Sequence, residues 1–308
     1  MTFTSDLSGS LKAKSQWLVL GIIVWLAAVP VGYAASPYGN CDVLFATQEP
    51  PSVSGIAVTP LCEEDDNFVF FATGYSKSDN HGLWSAYRLD EDQVQLMIDN
   101  PLPRPRVQFR RNKQLVGGDY VQPVHGSYTG TNWDRGHLAP NGAMAWDEAA
   151  QRASFTVTNI APQSPAMNRN IWRCFEVSIR EWAAESKSTY VVVGAIGRGA
   201  DPIIGSRDPR EIPISVPTHF IAMIYRELPG ADPIALGVQV PNTANQLDIR
   251  EFMMSVSELE DKTHFKFGLP AIIANKSPDS TQWPTRIVRK ELLGKLPDID
   301  AQCPKVIN

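Results

Sequence analysis

Four adjacent residues in the stretch TNWDRGHLAPNGAM, residues 131–144, combine an acid, a base, a glycine and a histidine. Asp134, Arg135, Gly136 and His137 carry both signs of charge and one group that can exchange a proton near neutral pH. A neutral imidazole is suited to take a proton from water, which is general-base chemistry. A single histidine in a chain that holds five is more often structural or solvated than catalytic, so the neighbouring sequence must decide.

Two further motifs follow this histidine. The run NIAPQ, residues 159–163, comes at the end of the next predicted strand. Asn168, Trp172 and Glu176 open a predicted amphipathic helix at helical spacing. Trp172 joins the apolar face of that helix, so we expect it in the core rather than stacked on a base. The order is therefore a strand with His137, a loop, a strand with NIAPQ, and a helix that carries an amide and a carboxylate.

This three-part pattern resembles the DNA/RNA non-specific endonucleases, which are ββα-metal (His-Me finger) nucleases. They include secreted bacterial sugar-non-specific nucleases and mitochondrial endonuclease G. LWSAYRL, residues 83–89, resembles the family's early strand, and SVSELEDKTHFKFGLP, residues 255–270, resembles its C-terminal segment. The resemblance implies an α+β fold, with a central antiparallel sheet flanked by helices. It also implies hydrolysis of phosphodiester bonds in DNA and RNA.

The resemblance assigns roles to the residues that match the motif. It makes His137 the general base, Asn168 the direct ligand of Mg²⁺, with Mn²⁺ as an alternative ion, and Asn159 a buttress of the His137 loop. Mg²⁺ prefers oxygen ligands and keeps several waters, which is compatible with a single amide ligand. Glu176 follows Asn168 by eight residues, about 12 Å along a regular helix, so we expect it to hold metal-bound water rather than the ion.

Each of the remaining groups has a structural alternative. Asp134 either orients the active-site strand or forms a salt bridge with Arg135, and Arg135 faces either phosphate or an internal carboxylate. Gly136 fits a backbone that must bend or let substrate approach closely. Glu176 alone is also compatible with a surface carboxylate paired with Arg180, four residues later, and Arg180 is itself a candidate for substrate binding.

A basic strip, RPRVQFRRNK, residues 104–113, precedes the histidine motif. The family uses an arginine upstream of DRGH, near an aromatic residue, to hold the scissile phosphate. Arg104 and Arg106 both precede Phe109, and the spacing does not choose between them, although we favour Arg106. With Arg110, the strip is either an ordinary solvated charge run or a groove that follows phosphates. The motif beside it favours the groove.

A formal net charge of −5 argues against tight, static binding to nucleic acid but not against an enzyme with a local positive groove. The sequence carries no base-reading module such as a zinc finger or basic zipper. We therefore expect contact with the backbone of both DNA and RNA, with little sequence preference. Two rival hypotheses are a small-molecule phosphodiesterase on the same scaffold and a catalytically inactive nucleic-acid-binding protein. A homodimer and a dedicated inhibitor protein are further partners that stay open.

The N-terminus has the three parts of a cleaved signal peptide. Lys12 and Lys14 precede the apolar run 17–29, and small residues follow, which predicts cleavage after Ala34. The run is short for a transmembrane helix, although an uncleaved anchor is the alternative. We expect an exported chain, periplasmic or extracellular, with no stable membrane association after cleavage.

Four cysteines remain in the mature chain, and an even number in an exported protein favours two disulfides. Among the three pairings that four cysteines allow, we favour Cys41 with Cys62, which are close in sequence. Cys174 with Cys303 would then tie the C-terminus to the body. None of the spacings is the short one of a zinc site.

Hydrophobic periodicity predicts one α+β domain, without repeats or an internal linker. The predicted strands are 67–75, 83–89, 153–160, 188–197, 215–228 and 233–241. The predicted helices are 166–187, 246–255 and 255–263. The predicted organisation is a signal peptide over 1–34, an irregular segment over 35–66, a nuclease domain over 67–272 and a loop-like tail over 273–308.

Overall fold

The computed structural model of the chain describes residues 36–117, 119–199, 201–244, 248–286 and 303. The predicted signal peptide, 1–34, lies outside the described residues, as does most of the tail beyond residue 286. Within the described ranges no helix is both long and apolar enough to span a membrane.

A seven-stranded antiparallel sheet forms the centre of the described chain. Its strand order is β10-β9-β8-β7-β4-β3-β2, and every pairing is antiparallel. The strands are β1 Ser52–Val53, β2 Thr59–Glu64, β3 Val69–Ser76, β4 His81–Asp90, β5 Asp134–His137, β6 Ile160–Gln163, β7 Ser188–Ile196, β8 His219–Glu227, β9 Ile234–Pro241, β10 Met253–Met254 and β11 Phe265–Lys266. The helices are α1 Glu91–Asp99, α2 Glu148–Ala153, α3 Pro165–Met167, α4 Arg173–Ala184, α5 Val256–Thr263 and α6 Ala271–Ala274.

Both faces of the sheet are covered, so its strands are rich in β-branched and aromatic residues rather than strictly alternating. On one face α4 packs Phe175 and Trp182 into a core that includes Phe220 of the sheet. On the other face Trp84 and Phe265 belong to a second core. The prediction of an α+β fold with a central antiparallel sheet flanked by helices is confirmed.

A separate two-stranded ribbon carries the DRGH motif. β5 pairs with β6 in an antiparallel register that places Asp134 opposite Gln163 and His137 opposite Ile160. After β6 the chain turns at Ser164, whose Oγ accepts a hydrogen bond from the Met167 N–H at 3.4 Å, and Pro165 opens α3. A hydroxyl cap followed by proline is a favourable helix start. The ribbon and the helix behind it form a ββα unit.

Three sequence predictions of secondary structure were wrong in part. The strand predicted over 153–160 is instead the end of α2, a turn and the 3-10 segment Val157–Asn159, and the strand β6 begins where the prediction ended. Its β-branched residues are buried without a strand partner apart from one bridge, Thr156 with Arg110. The segment 35–66, predicted to be irregular, contributes β1 and the edge strand β2. The described part of 246–255 is the 3-10 turn Ile249–Phe252 followed by β10, not a helix.

Both preferred disulfides are present. Cys41 is bonded to Cys62 of β2, with Cα atoms 5.7 Å apart, and Cys174 of α4 is bonded to Cys303, with Cα atoms 5.4 Å apart. The segment before Cys303 also packs on α4, because the Trp182 indole donates to the Pro284 carbonyl at 2.7 Å. The C-terminal region is therefore fastened to the helix of the ββα unit.

Candidate active site

The ββα unit opens onto a groove of about 510 Å³. Its walls combine one imidazole, one carboxylate, several side-chain amides and several guanidinium groups. The polar side chains that line it are Arg104, Arg135, His137, Asn141, Gln151, Asn168, Arg169, Arg173, Glu176 and Arg180. Six of these were predicted as site residues, and the predicted Asn159 and Asp134 lie directly behind the groove. The structure thus brings DRGH and the helix motif together.

His137 lies at the back of the groove with only 9% of its surface exposed. Its ring packs against Phe109 and Phe155, with ring centroids 5.1 and 5.2 Å away. The ring lines the groove, and its Nε2 is buried without a hydrogen-bond partner among the described residues. Burial, helped by the positive charge of Arg104, lowers the pKa of His137 to about 3, so the ring is neutral at pH 7.

Asn159 fixes the turn that follows His137. Its Oδ1 accepts from the Ala139 N–H at 2.9 Å, and its Nδ2 donates to the Ala139 carbonyl at 2.9 Å. The same Oδ1 accepts from Ser85 Oγ of β4 at 2.8 Å. Asn159 is fully buried and therefore acts on the histidine through the backbone, without access to a substrate. Ser85 was not predicted, although a serine inside the apolar strand LWSAYRL was a signal for it.

Asp134 holds the side chain of Asn168. The Asn168 Nδ2 donates to Asp134 Oδ2 at 2.9 Å, which places Oδ1, the atom able to bind a cation, on the other side of the amide. Asp134 also accepts two hydrogen bonds from Arg169, at 2.8 and 2.6 Å. The predicted alternative of an Asp134 salt bridge with Arg135 is wrong. Successive side chains of β5 point to opposite faces, so neighbours in sequence do not meet.

A π-helical turn, Asn168–Trp172, joins α3 to α4. Such turns insert one residue into a helix and often occur at functional sites. Trp172 packs against Phe175 and Phe220 and is 1% exposed, which confirms the prediction that it belongs to the core. Anchored by this ring, the turn presents Asn168 to the groove while α4 continues along it.

Glu176 follows Asn168 along the helix and lines the same groove, among several arginine side chains. Burial raises the pKa of Glu176 to about 7, and the charges of Arg180 and Arg104 act in the opposite direction. The Arg180 guanidinium donates to the main-chain carbonyl of Glu176 at 3.2 Å rather than to its carboxylate. The carboxylate therefore shares the groove with cations without a close ion pair to Arg180.

The arginine that reaches His137 is Arg104. Its guanidinium lies over the Phe155 ring, 5.0 Å from the centroid, and its charge acts on both His137 and Glu176. Arg106, which the sequence favoured, is exposed and is not among the described residues that line the groove. The sequence predicts Phe109 as the aromatic neighbour of this arginine, whereas the ring that the guanidinium contacts is Phe155, which is distant in sequence.

Three other predicted residues have partners that the sequence did not indicate. Arg135 lines the groove, and its guanidinium donates to the His125 carbonyl at 2.6 and 3.0 Å rather than to an internal carboxylate; contact with phosphate stays a prediction. Arg110 lies outside this groove, where it donates to the Arg152 carbonyl at 2.7 Å. A Cβ on Gly136 would be 2.0 Å from Oε1 of Gln163, so the close approach that requires glycine comes from the opposite strand.

The residues present fit a hard, oxygen-preferring cation. Among the described residues no group of three or more His, Cys, Asp or Glu side chains is placed to hold a metal, which disfavours a zinc-type centre. Asn168 offers an oriented amide oxygen, and Glu176 offers a carboxylate in the same groove. A small divalent ion that keeps most of its waters needs few protein ligands of this kind.

Comparison with known proteins gives consistent matches. Residues 58–270 match the family model described as DNA/RNA non-specific endonuclease. A nuclease of Nostoc sp. is 28% identical over 72% of this chain and 78% of its own length. The mitochondrial endonuclease G of Homo sapiens is 26% identical over 65% of this chain and 67% of its own length. A crystal structure of the EndoG/EndoGI complex has a chain with a TM-score of 0.56 at 19% identity, covering 67% of this chain and 84% of that chain.

Proposed function

The chain belongs to the DNA/RNA non-specific endonuclease family, and we propose that it hydrolyses phosphodiester bonds with His137 as the general base and Asn168 as the ligand of Mg²⁺. The family and its named relatives are nucleases, so the chain is an endonuclease. One observation carries the assignment to His137: a neutral imidazole faces a groove that also holds Arg104, Asn168 and Glu176.

Arg104 and Arg180 supply the positive charge that would bind a phosphodiester in the groove. Burial is the main cause of the low pKa of His137 and the charge of Arg104 adds to it; an anionic phosphate near Arg104 would offset the second contribution and so raise the pKa of the ring. A ring nitrogen of the neutral imidazole would then take the proton of the attacking water. Asn159 and the β5–β6 ribbon keep the ring in this orientation.

Asn168, oriented by Asp134, would bind the divalent ion, and Glu176 would hold water bound to that ion. When bound, Mg²⁺ or Mn²⁺ neutralises charge that develops on the phosphate and on the departing 3′-oxygen. The products would be 5′-phosphate and 3′-hydroxyl ends.

The proposed substrates are both DNA and RNA. A histidine that activates water needs no 2′-hydroxyl, and the guanidinium groups of the groove are suited to phosphates rather than to base edges.

Export is proposed from the N-terminal signal sequence, and two disulfides suit an oxidising compartment. A homodimer and an inhibitor protein stay predictions. EndoG, the nuclease of the structurally similar EndoG/EndoGI complex, is subject to inhibition, which supports a search for an inhibitor of this chain.

The proposal is tested with three substrates: supercoiled plasmid, single-stranded RNA and a small chromogenic phosphodiester. We expect the purified mature chain to cut plasmid and RNA with Mg²⁺ or Mn²⁺ and to stop when EDTA is added. Hydrolysis of the chromogenic diester alone would favour a small-molecule phosphodiesterase. A gel shift of either nucleic acid with no cleavage under any metal would favour an inactive binding protein.

A further inference from the structure

A second cleft lies next to the groove, on the far side of Phe109. Its volume is about 500 Å³, and its lining includes Phe109, Arg111, His125, Thr129 and Arg207. The cleft is separate from the His137 groove, because the two have different lining residues. Arg104 and Arg135 line the groove, whereas Arg111 and Arg207 line the cleft. No described residue that lines it carries a negative charge at neutral pH.

Two loops that are distant in sequence meet to form this cleft. A Cβ on Gly126 would lie 2.3 Å from the Arg207 carbonyl, so the loops touch backbone to backbone. The Ser206 N–H donates to the Thr129 carbonyl at 2.9 Å, and Ser127 Oγ donates to the buried Asp208 carboxylate. This attachment holds Arg207 beside the His125 loop and makes the cleft a fixed feature of the fold.

The cleft is connected to the catalytic strand at two points. Arg135 of DRGH donates to the His125 carbonyl at 2.6 Å, and the Phe109 ring lies 5.1 Å from the His137 ring and 6.1 Å from the His125 ring. Phe109 lines the cleft and its ring packs against His137, so the cleft lies beside the strand that carries the proposed base.

The polar groups of the cleft are donors. Both arginines are exposed, and neither guanidinium has a hydrogen bond or ion pair with a described residue. The Phe109 N–H donates to Nδ1 of His125 at 3.3 Å, so the neutral ring carries its proton on Nε2, as a further donor. Several donors on a lining that carries no described carboxylate suit the oxygens of a phosphate.

We propose that this cleft is a second substrate subsite, in which Arg111 and Arg207 bind a backbone phosphate of the strand held in the groove, while the stacked Phe109 and His125 rings form one wall of the cleft. The inference rests on the proposed nuclease function. It adds the residues that would make the enzyme prefer a polymer to an isolated diester. The subsite would act on DNA and RNA alike, because its donors address phosphate.

The test measures binding without cleavage. Fluorescence anisotropy gives the Kd of a labelled single-stranded DNA and of the matching RNA for the His137→Ala protein across a series of salt concentrations. Each phosphate contact on a single strand contributes about 0.7 to the slope of log Kd against log salt. We expect Arg111→Gln and Arg207→Gln each to raise Kd and to lower that slope by about 0.7, whereas Arg111→Lys and Arg207→Lys retain the slope.

The matched control is Lys262→Gln with Lys266→Gln, which removes two exposed positive charges from α5 and β11. This protein should keep the slope of its parent. If the arginine variants bind as the control does, with unchanged slopes, the subsite is wrong even when the wild type cuts plasmid. If the wild type cuts nothing, the proposed function fails, and the anisotropy still decides whether the cleft binds a strand.

Discussion

At the scale of single residues, the proposed role of His137 as a general base requires its ring to be neutral. Burial and the charge of Arg104 lower the pKa of the ring to about 3, so protonation occurs only as the pH falls well below neutrality. A general base works above its pKa and fails below it, so the acid limb of the kcat/KM profile reports this group.

Arg104→Gln removes a positive charge that opposes protonation, so the acid limb should move to higher pH. It should also lower kcat/KM about 10-fold or more, because a phosphate contact is lost. The measurement is the pH dependence of kcat/KM on RNA. Arg106→Gln is the control, since Arg106 is exposed outside the groove and its loss should leave the limb in place. A shift in the Arg106 variant alone would contradict the assignment.

The hydrogen bond from Asn168 to Asp134 should affect metal binding more than it affects the stability of the fold. Asp134→Asn keeps the size of the side chain but weakens the hold on the Asn168 amide, so the Mg²⁺ concentration for half-maximal activity should rise about 10-fold or more. The melting temperature should change little, because the Arg169 partner is 67% exposed and such pairs contribute about 1 kcal/mol or less.

The control for this variant is Asp248→Asn, which breaks a comparable surface pair with Arg250. It should leave the Mg²⁺ dependence unchanged. An unchanged dependence in Asp134→Asn would show that the carboxylate has no part in orienting Asn168.

Sequence reasoning identified the chemical groups of the site but not all their partners. His137, Asn168 and Glu176 follow from a local motif, and the structure brings them to one groove. The pairing of Asp134 with Arg169 depends on the strand alternation of β5 and on the π turn, neither of which the pattern of residue types reveals. The choice of Arg104 over Arg106 depends on Phe155, which reaches the site from another element.

At the scale of elements, the β5–β6 ribbon is held by close packing as well as by its backbone hydrogen bonds. Gly136 leaves room for the buried Gln163 side chain, and a Cβ there would be 2.0 Å from Gln163 Oε1. Gly136→Ala should lower the free energy of unfolding by about 1–3 kcal/mol, as overpacking does, and reduce activity with it.

The double variant Gly136→Ala, Gln163→Ala removes the atom that causes the clash. It should recover part of the lost stability, and chemical denaturation of the two variants and of Gln163→Ala alone measures this coupling. Simple additivity of the single changes would show that the two side chains do not compete for the same space.

Strands and helices with strong local patterns were predicted well, and those that depend on distant partners were not. β7, β8 and β9 follow from runs of β-branched residues, and α4 follows from its apolar face. The residues of β2, TPLCEE, have little of the hydrophobic alternation that predicts a strand. The strand forms because it pairs with the edge of β3. The stretch 153–160 has strand-like composition because it is buried, and burial favours these residues in turns as well.

At the scale of the whole molecule, the two disulfides close loops of very different length. Cys174 and Cys303 are 129 residues apart, whereas Cys41 and Cys62 are 21 apart. A longer loop restricts the unfolded chain more, so removal of the longer crosslink should cost more stability, of the order of 2–5 kcal/mol.

Cys174→Ser with Cys303→Ser should therefore lower the midpoint of urea unfolding more than Cys41→Ser with Cys62→Ser does. The first pair should also reduce activity, because Cys174 lies on α4 between Asn168 and Glu176. Equal losses in the two double variants would mean that the C-terminal attachment has no special role in supporting the groove.

If His137 activates water for hydrolysis of nucleic acid, as proposed, its loss should abolish the nicking of supercoiled plasmid. The purified mature chain is assayed with Mg²⁺, with EDTA, as His137→Ala and as His219→Ala, which removes a histidine of β8 outside the groove. We expect the wild type and His219→Ala to cleave the plasmid only when the metal is present. The rate should fall by about 1,000-fold or more in His137→Ala. Full activity of His137→Ala would show that His137 is not the general base.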